Sequence, residues 1–274
     1  MLKATRSRSA ARAVVDHTVG MLPLFEYKLE ATRWRAARRL TATEDAIVAA
    51  FRAQLGRLAP AEVATVIPTY RRPVQLGSAV ESALTQTFED QRVIVVDDGA
   101  GLDGALPDDP RLTVVQLPHN IGTAGVVRNI GIRLTDSRLV AFLDDDNTWE
   151  PRHLELAIEA HARGAELTYS RLQRVDESGE LIDVLGEPFE RRQMRERSLV
   201  DTNVIVVRRS EGLQFSRVPR RRGDFPLEDW ELVWRLSRHM QVTYIPEVTV
   251  RYVRHRGSNY SDWGAASDSS EHRA

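Results

Sequence analysis

The residues best placed to do chemistry are carboxylates that follow short apolar runs. Asp144, Asp145 and Asp146 come directly after Leu139–Leu143, and Asp97-Asp98-Gly99 directly after Arg92–Val96. A third strand-like run ends in Pro68-Thr69-Tyr70-Arg71-Arg72-Pro73. Three adjacent carboxylates are hard to keep ionised together, since two charges ~5 Å apart at an effective dielectric of ~20 repel by ~3 kcal/mol. A bound cation removes that difficulty. The chain has no cysteine, so an all-oxygen site would suit a hard divalent ion, Mg²⁺ or Mn²⁺, with coordination positions left for substrate phosphates. The plain alternative is a solvated acidic turn, against which stands the abrupt change from apolar run to acids just before Trp149 and Pro151.

Such acids need a scaffold that aims them. From Val63 onward short β-branched runs alternate with helix-like stretches, the pattern of a parallel sheet built from βαβ units. The expected strands are Ala64–Pro68, Arg92–Val96, Leu112–Gln116 and Arg138–Leu143. Expected helices are Val74–Gln86, with Leu76, Val80 and Leu84 on one face, and Thr123–Leu134. The second crossover, rich in Gly, Asp and Pro, reads as a loop. Ligands of open α/β sheets sit beyond the carboxyl ends of the strands, so the two acidic strand ends should meet in one cleft. Further on, residues 223–238 read as a helix with Trp230 and Trp234 one turn apart, and Val242–Val253 as an extended ribbon.

The first 59 residues read as a helical extension, with helices over Ala31–Leu40 and from Thr43 to Leu58, where Thr43 and Asp45 are plausible caps. Arg33, Arg35, Arg38 and Arg39, close to the apolar Val19–Phe25, could lie on a membrane surface. A solvated helix packed on the main domain or on another subunit of a homo-oligomer explains the same charges. Residues 60–260 are expected to form the main domain, and 261–274 a disordered polar tail. The 274 residues carry a formal net charge of -1, which gives no support to a nucleic-acid partner. A disulfide framework and cysteine nucleophiles are excluded. No apolar run reaches the roughly 20 residues of a membrane span, so a cytoplasmic location, with at most peripheral membrane contact, is the expectation.

Taken in order, Ile67–Pro73, Val95–Gly99, Asn120-Ile121-Gly122, Arg128-Asn129-Ile130-Gly131, Phe142–Pro151, Glu228-Asp229-Trp230-Glu231 and His255 resemble a family 2 glycosyltransferase of the GT-A fold over roughly Val63 to Tyr260. The resemblance implies an α/β domain with a mostly parallel central sheet flanked by helices, and an inverting transfer from a nucleotide-diphosphate sugar, with UDP the expected nucleotide. It implies that Pro68, Thr69 and Arg71 contact the nucleotide, that Asp98 contacts the base or ribose and that Asp97 supports it. Gly122, Arg128 and Asp145 are implied to line the nucleotide-sugar cleft. Asp144 and Asp146 match the DxD pair that binds donor and metal, Asp146 closest to the metal, and His255 matches a position near diphosphate or metal. Asp229 matches the acceptor-side base. The pattern departs from the family at Asn147, where a second acid is frequent, and at Ala100, where serine is more usual.

The chemistry stands on physical grounds as well. Breaking a sugar–phosphate bond builds negative charge on the diphosphate, which a divalent ion held by Asp144 and Asp146 would stabilise. The acceptor hydroxyl must lose a proton as it attacks, and Asp229 is the chosen general base. Asp224 and Glu231 compete for that role, and an acid pair at a helix N-terminus is also favoured by the macrodipole alone. The acceptor, whether glycan, lipid carrier, small molecule or protein, is not specified.

Three rival readings fit parts of the sequence. Gly99-Ala100-Gly101-Leu102-Asp103-Gly104 fits G-x-G-x-x-G, but Pro107 and Pro110 follow where a dinucleotide-binding helix should open. Asp144-Asp145-Asp146-Asn147-Thr148 fits the D-x-D-x-T of a haloacid-dehalogenase-type phosphohydrolase, whose chemistry calls for a lysine. No lysine occurs after Lys28. A catalytically silent nucleotide-sugar-binding scaffold is the third.

Overall fold

The computed structural model describes residues 21–102, 106–220, 224 and 227–254. One mixed sheet runs through the domain, with strand order β3-β2-β1-β4-β8-β6-β9-β5 and β7 paired to β6. The strands are β1 (Val63–Thr69), β2 (Gln91–Asp97), β3 (Leu112–Gln116), β4 (Leu139–Phe142), β5 (Asn147–Trp149), β6 (Leu167–Val175), β7 (Leu181–Leu185), β8 (Ile205–Arg208) and β9 (Val242–Val253). The helices are α1 (Met21–Leu55), α2 (Pro73–Leu84), α3 (Ala124–Leu134), α4 (His153–Ala162) and α5 (Glu228–Leu236).

β1 pairs in parallel with β2 and with β4, and β2 with β3. These strands read as continuous apolar runs because both faces are covered; Val93–Val96 and Leu139–Phe142 have no exposed surface. Helix α3 packs on β1 and β2, and α1 packs on α3. The approach of α3 is close: a Cβ at Gly131 would stand 2.5 Å from Val66 Cγ1. Only a residue without a side chain lets that helix seat at this distance.

The second half of the sheet is mixed. β8 runs antiparallel to β4 and β6, β7 to β6, and β5 to β9, while β6 and β9 are parallel. Asp176 turns the β6–β7 hairpin by accepting from the amides of Ser178 and Glu180, each at 2.9 Å, an Asx-type turn. The mostly parallel sheet expected from sequence is therefore the half from β1 to β4. There the predicted strands and the loop crossover between β2 and β3 are all present.

One local expectation is corrected. The break at Thr43 does not exist, and α1 is continuous from Met21 to Leu55. Its interior has neither glycine nor a second proline after Pro23, and nothing local outcompetes the helix. Thr41 Oγ1 donates back to the Ala37 carbonyl at 3.0 Å, and Glu44 is wholly buried against the domain. Glu44 accepts from Arg133 at 2.8 Å, from Arg217 at 2.7 Å and from Asn129 at 3.2 Å. Glu26 pairs with Arg220 at 2.8 Å, and Arg33 with Asp224 at 2.6 Å. The helix is thus bolted to Ser216, Arg217, Arg220 and Asp224, ahead of α5. Among the described residues no helix is long and apolar enough to cross a membrane.

Candidate active site

The carboxyl ends of β1, β2 and β4, the N-terminus of α3, residues 201–202 and the start of α5 surround an open cleft of about 450 Å³. This is where strand order reverses around β1, the position at which open α/β sheets take ligands.

At β1 the chain leaves the sheet through Tyr70 and Arg71. Arg71 has φ of +58°, a left-handed conformation that a side chain resists, and its guanidinium lies 4.9 Å from the Tyr70 ring centroid. Pro73 then opens α2, where a missing N–H costs nothing. Pro68, Thr69, Tyr70 and Arg72 line the cleft. Arg71, expected at the nucleotide, is not among the lining residues, and the turn instead presents its neighbour Arg72. Arg72 Nη1 reaches Asp145 at 3.0 Å and Asp146 at 2.6 Å.

The β2 end divides its two acids. Asp97 is fully buried behind the cleft wall, accepting from the amides of Gly101 at 2.8 Å and Ala100 at 3.3 Å. Asp98 faces the cleft and accepts from the amides of Ile121 at 2.7 Å and Gly122 at 2.9 Å and from Asn120 Nδ2 at 3.2 Å. Burial pushes the Asp98 carboxyl above the usual carboxylate range, and these amides pull it back only in part. Gly99 permits the arrangement. At φ +75° its Cβ would fall 2.3 Å from the His119 carbonyl carbon and 2.6 Å from the Asn120 amide nitrogen.

The three acids after β4 have separate partners. Asp144 takes Arg128 Nη2 at 2.5 Å, and its backbone N–H donates to Asn203 Oδ1 at 2.6 Å. Asp145 accepts from Thr69 Oγ1 at 2.7 Å, and burial raises its pKa while Thr69 and Arg72 oppose the rise. Asp146 faces Arg72 and accepts from Asn147 Nδ2 at 3.0 Å. Arg128 lies 5.2 Å from the Phe215 ring centroid and also meets Glu228 at 3.2 Å. Burial works to discharge it, but Asp144 and Glu228 more than offset that, so its pKa rises and it stays cationic. Among the described residues no three acids or histidines converge as a ready-made metal cluster. His255 lies outside the described residues.

Asp229 sits in the first turn of α5, 4% exposed, and lines the cleft. Gly122, Arg128, Asp144, Asp145, Asp146 and Asp98 share the same cleft with it. Two further residues escaped the sequence reading. Asp201 is buried at the cleft wall, and burial first, then the charges of Asp229 and Asp144, push its pKa up to about 7. Asn203 ties it to the acids: Nδ2 donates to Asp201 Oδ1 at 2.7 Å and to Asp144 Oδ2 at 3.2 Å. The available signal was an Asp-Thr-Asn step immediately before the apolar run Val204–Val207, a strand entry of the same kind as the acidic strand exits.

With this geometry in place, the similarity to known proteins is informative. The family model for glycosyl transferase family 2 matches residues 65–216, more than half of the chain. The succinoglycan biosynthesis protein ExoO of Rhizobium meliloti (strain 1021) is 35% identical over 132 residues, covering 46% of this chain and 37% of that protein. ExoW of the same organism is 38% identical over 115 residues, covering 38% of this chain and 35% of that one. The matched region thus spans little more than a third of those relatives. The crystal structure of S. aureus TarS 1-349 in complex with UDP-GlcNAc superposes with a TM-score of 0.57 at 17% identity, covering 73% of this chain and 61% of that one. That likeness establishes the GT-A fold. Motifs, strand-end acids and family match agree: the chain belongs to glycosyl transferase family 2.

Proposed function

We propose that residues 60–260 form the transferase domain, with 1–59 a helical extension, and that it moves a sugar from a UDP-sugar to an acceptor hydroxyl with inversion. The observation that carries this reading is the convergence of Asp98, Arg128, Asp144 and Asp146 with Asp229 on one cleft. The donor is suggested by neighbours: TarS is solved with UDP-GlcNAc, and one relative, from Escherichia coli, is named as a UDP-Glc:alpha-D-GlcNAc-diphosphoundecaprenol beta-1,3-glucosyltransferase. Cytoplasmic residence is in keeping with such a donor.

Asp98, its carboxylate already oriented by three N–H donors, would accept from the base or ribose. Arg128 places a permanent positive charge beside Asp144, where diphosphate charge develops. Asp144 and Asp146 offer hard oxygen donors suited to Mn²⁺ or Mg²⁺. Such an ion, when bound, would stabilise the departing diphosphate. Asp229 would take the proton from the acceptor hydroxyl on the opposite side, which is what inversion requires. Asp201, whose charge is suppressed by burial, keeps the wall behind Asp229 and Asp144 from accumulating another negative charge.

The test is a thermal-shift titration of the full chain with UDP, GDP, dTDP and their sugar conjugates, with and without Mn²⁺. Ligands that bind the native state raise the melting temperature by mass action. A metal-dependent shift confined to uridine nucleotides is expected. No shift with any nucleotide, from folded protein, would overturn the donor assignment, and binding without turnover across acceptors would favour a silent scaffold.

A further inference from the structure

Asp145 and Asp146 are nearly buried, their side chains 7% and 14% exposed, while Arg72, which joins them, is 37% exposed. One oxygen of each acid is engaged inside the cleft wall. Asp145 Oδ2 accepts from Thr69 Oγ1 at 2.7 Å and from the Tyr70 amide at 3.4 Å, and Asp146 Oδ1 accepts from Asn147 Nδ2 at 3.0 Å. The other two oxygens, Asp145 Oδ1 at 3.0 Å and Asp146 Oδ2 at 2.6 Å, converge on a single nitrogen, Arg72 Nη1. Two carboxylate oxygens from successive residues aimed at one point define a position for a cation, and the chain fills it with a guanidinium of its own.

The surrounding charges leave Arg72 alone in that task. Among the described residues that line the cleft the cations are Arg72 and Arg128, against seven carboxyl groups. Arg128 is committed to Asp144 and Glu228. Arg71, the adjacent cation, is turned onto the Tyr70 ring and does not line the cleft. Asp98 is held by the amides of Ile121 and Gly122. The partners also differ in freedom. The two acids are fixed by burial and by their inner hydrogen bonds, whereas Arg72 stands at the N-cap of α2 and makes no side-chain cap bond there. A half-exposed ion pair is weakly held, so the arginine is the member that can leave. A diphosphate would favour its departure, because its oxyanions match a guanidinium with charge-assisted hydrogen bonds while offering a hard divalent ion further oxygen ligands.

We propose that Arg72 is a displaceable internal cation that makes divalent-ion loading conditional on the donor: it neutralises Asp145 and Asp146 until a diphosphate draws its guanidinium away, and the ion then takes its place beside Asp146. This role rests on the metal-dependent transferase reading above. It gives Arg72 two opposed effects, as a competitor of the ion and a partner of the diphosphate, and a residue that merely braced the wall would have neither.

The experiment measures two dissociation constants of the full chain: that of Mn²⁺ without nucleotide, followed by the electron paramagnetic resonance signal of the free ion, and that of UDP without metal. Arg72→Gln should bind Mn²⁺ about tenfold more tightly than the parent and UDP more weakly. Arg71→Gln removes the same charge one residue away and should leave both constants near the parent values. Adding Asp146→Asn to Arg72→Gln should abolish the gain, which locates the ion at that carboxylate. Unchanged Mn²⁺ affinity in Arg72→Gln overturns the exchange and leaves the metal site standing, and weaker binding of both ligands overturns it by reducing Arg72 to a support of the acids. A gain in Mn²⁺ affinity with no loss for UDP, or an equal gain in Arg71→Gln, overturns it as well, the first by removing the diphosphate's part and the second by showing that overall charge suffices. Failure of every form to bind Mn²⁺, with UDP as without it, takes down the metal reading together with the exchange.

Discussion

The two walls of the cleft are built by different means. The wall formed by β1, β2 and β4 holds its acids through groups that all lie inside the stretch matched by the family model: Asp98 by residues 120–122, Asp145 by Thr69, Asp144 by Arg128 and Asn203. The start of α5 follows a segment fixed by contacts much more remote in sequence. Glu26, Arg33 and Glu44 of α1 hold Arg220, Asp224 and Arg217. The first wall stands on strands that are buried on both faces. The second depends on a helix that the family match does not reach, since that match begins at residue 65. The family match therefore covers the groups that hold the first wall and not the helix that holds the second.

Four perturbations test that division, from the largest effect down. Asp146→Ala and Asp144→Ala each remove a wall carboxylate where charge develops, and transfer should fall by about 10³-fold or more with loss of metal-dependent nucleotide-sugar binding. Full binding in both variants would break the donor-wall assignment. Asp229→Asn should lower kcat by about 10²–10⁴-fold and leave the donor dissociation constant alone; normal turnover would transfer the base role to Glu231 or Asp224.

Glu44→Ala removes the buried carboxylate on which Arg217 and Asn129 converge and leaves Arg133 with Asp45 alone, and should cost about 3 kcal/mol of stability, measured by urea unfolding. If the second wall is held from α1, acceptor KM should rise in that variant while UDP affinity holds. The smallest effect concerns Asp201. Its folded-state pKa of about 7 lies above the ordinary 3.8, so between those values the folded protein keeps a proton that the unfolded chain has released. Stability should then decline as pH rises from about 4 towards 7 and level off above. Asp201→Asn should flatten this slope by about 1–2 kcal/mol, and an unchanged pH profile would show that the carboxyl is not held protonated.

How much was legible beforehand follows the same line. β1 to β4 stood out because strands buried on both faces are uninterrupted apolar runs, and the acids at their ends marked the cleft. The choice between Arg71 and Arg72 could not be read, since it depends on a left-handed φ at position 71 that no residue type there announces. The continuity of α1 was hidden by Thr43 and Asp45, residues that cap helices elsewhere, because the burial of Glu44 is a tertiary fact. Asp201 and Asn203 enter the site only through the antiparallel β4–β8 pairing, for which the sequence has no local marker.

Gly131 and Gly99 leave a last consequence, in the realm of inheritance. Every single-base change that alters the residue encoded by a glycine codon introduces a Cβ, and at these two positions the Cβ meets Val66 or the 119–120 backbone. There is no mild first step away from either glycine, so both positions should stay glycine across lineages of this protein.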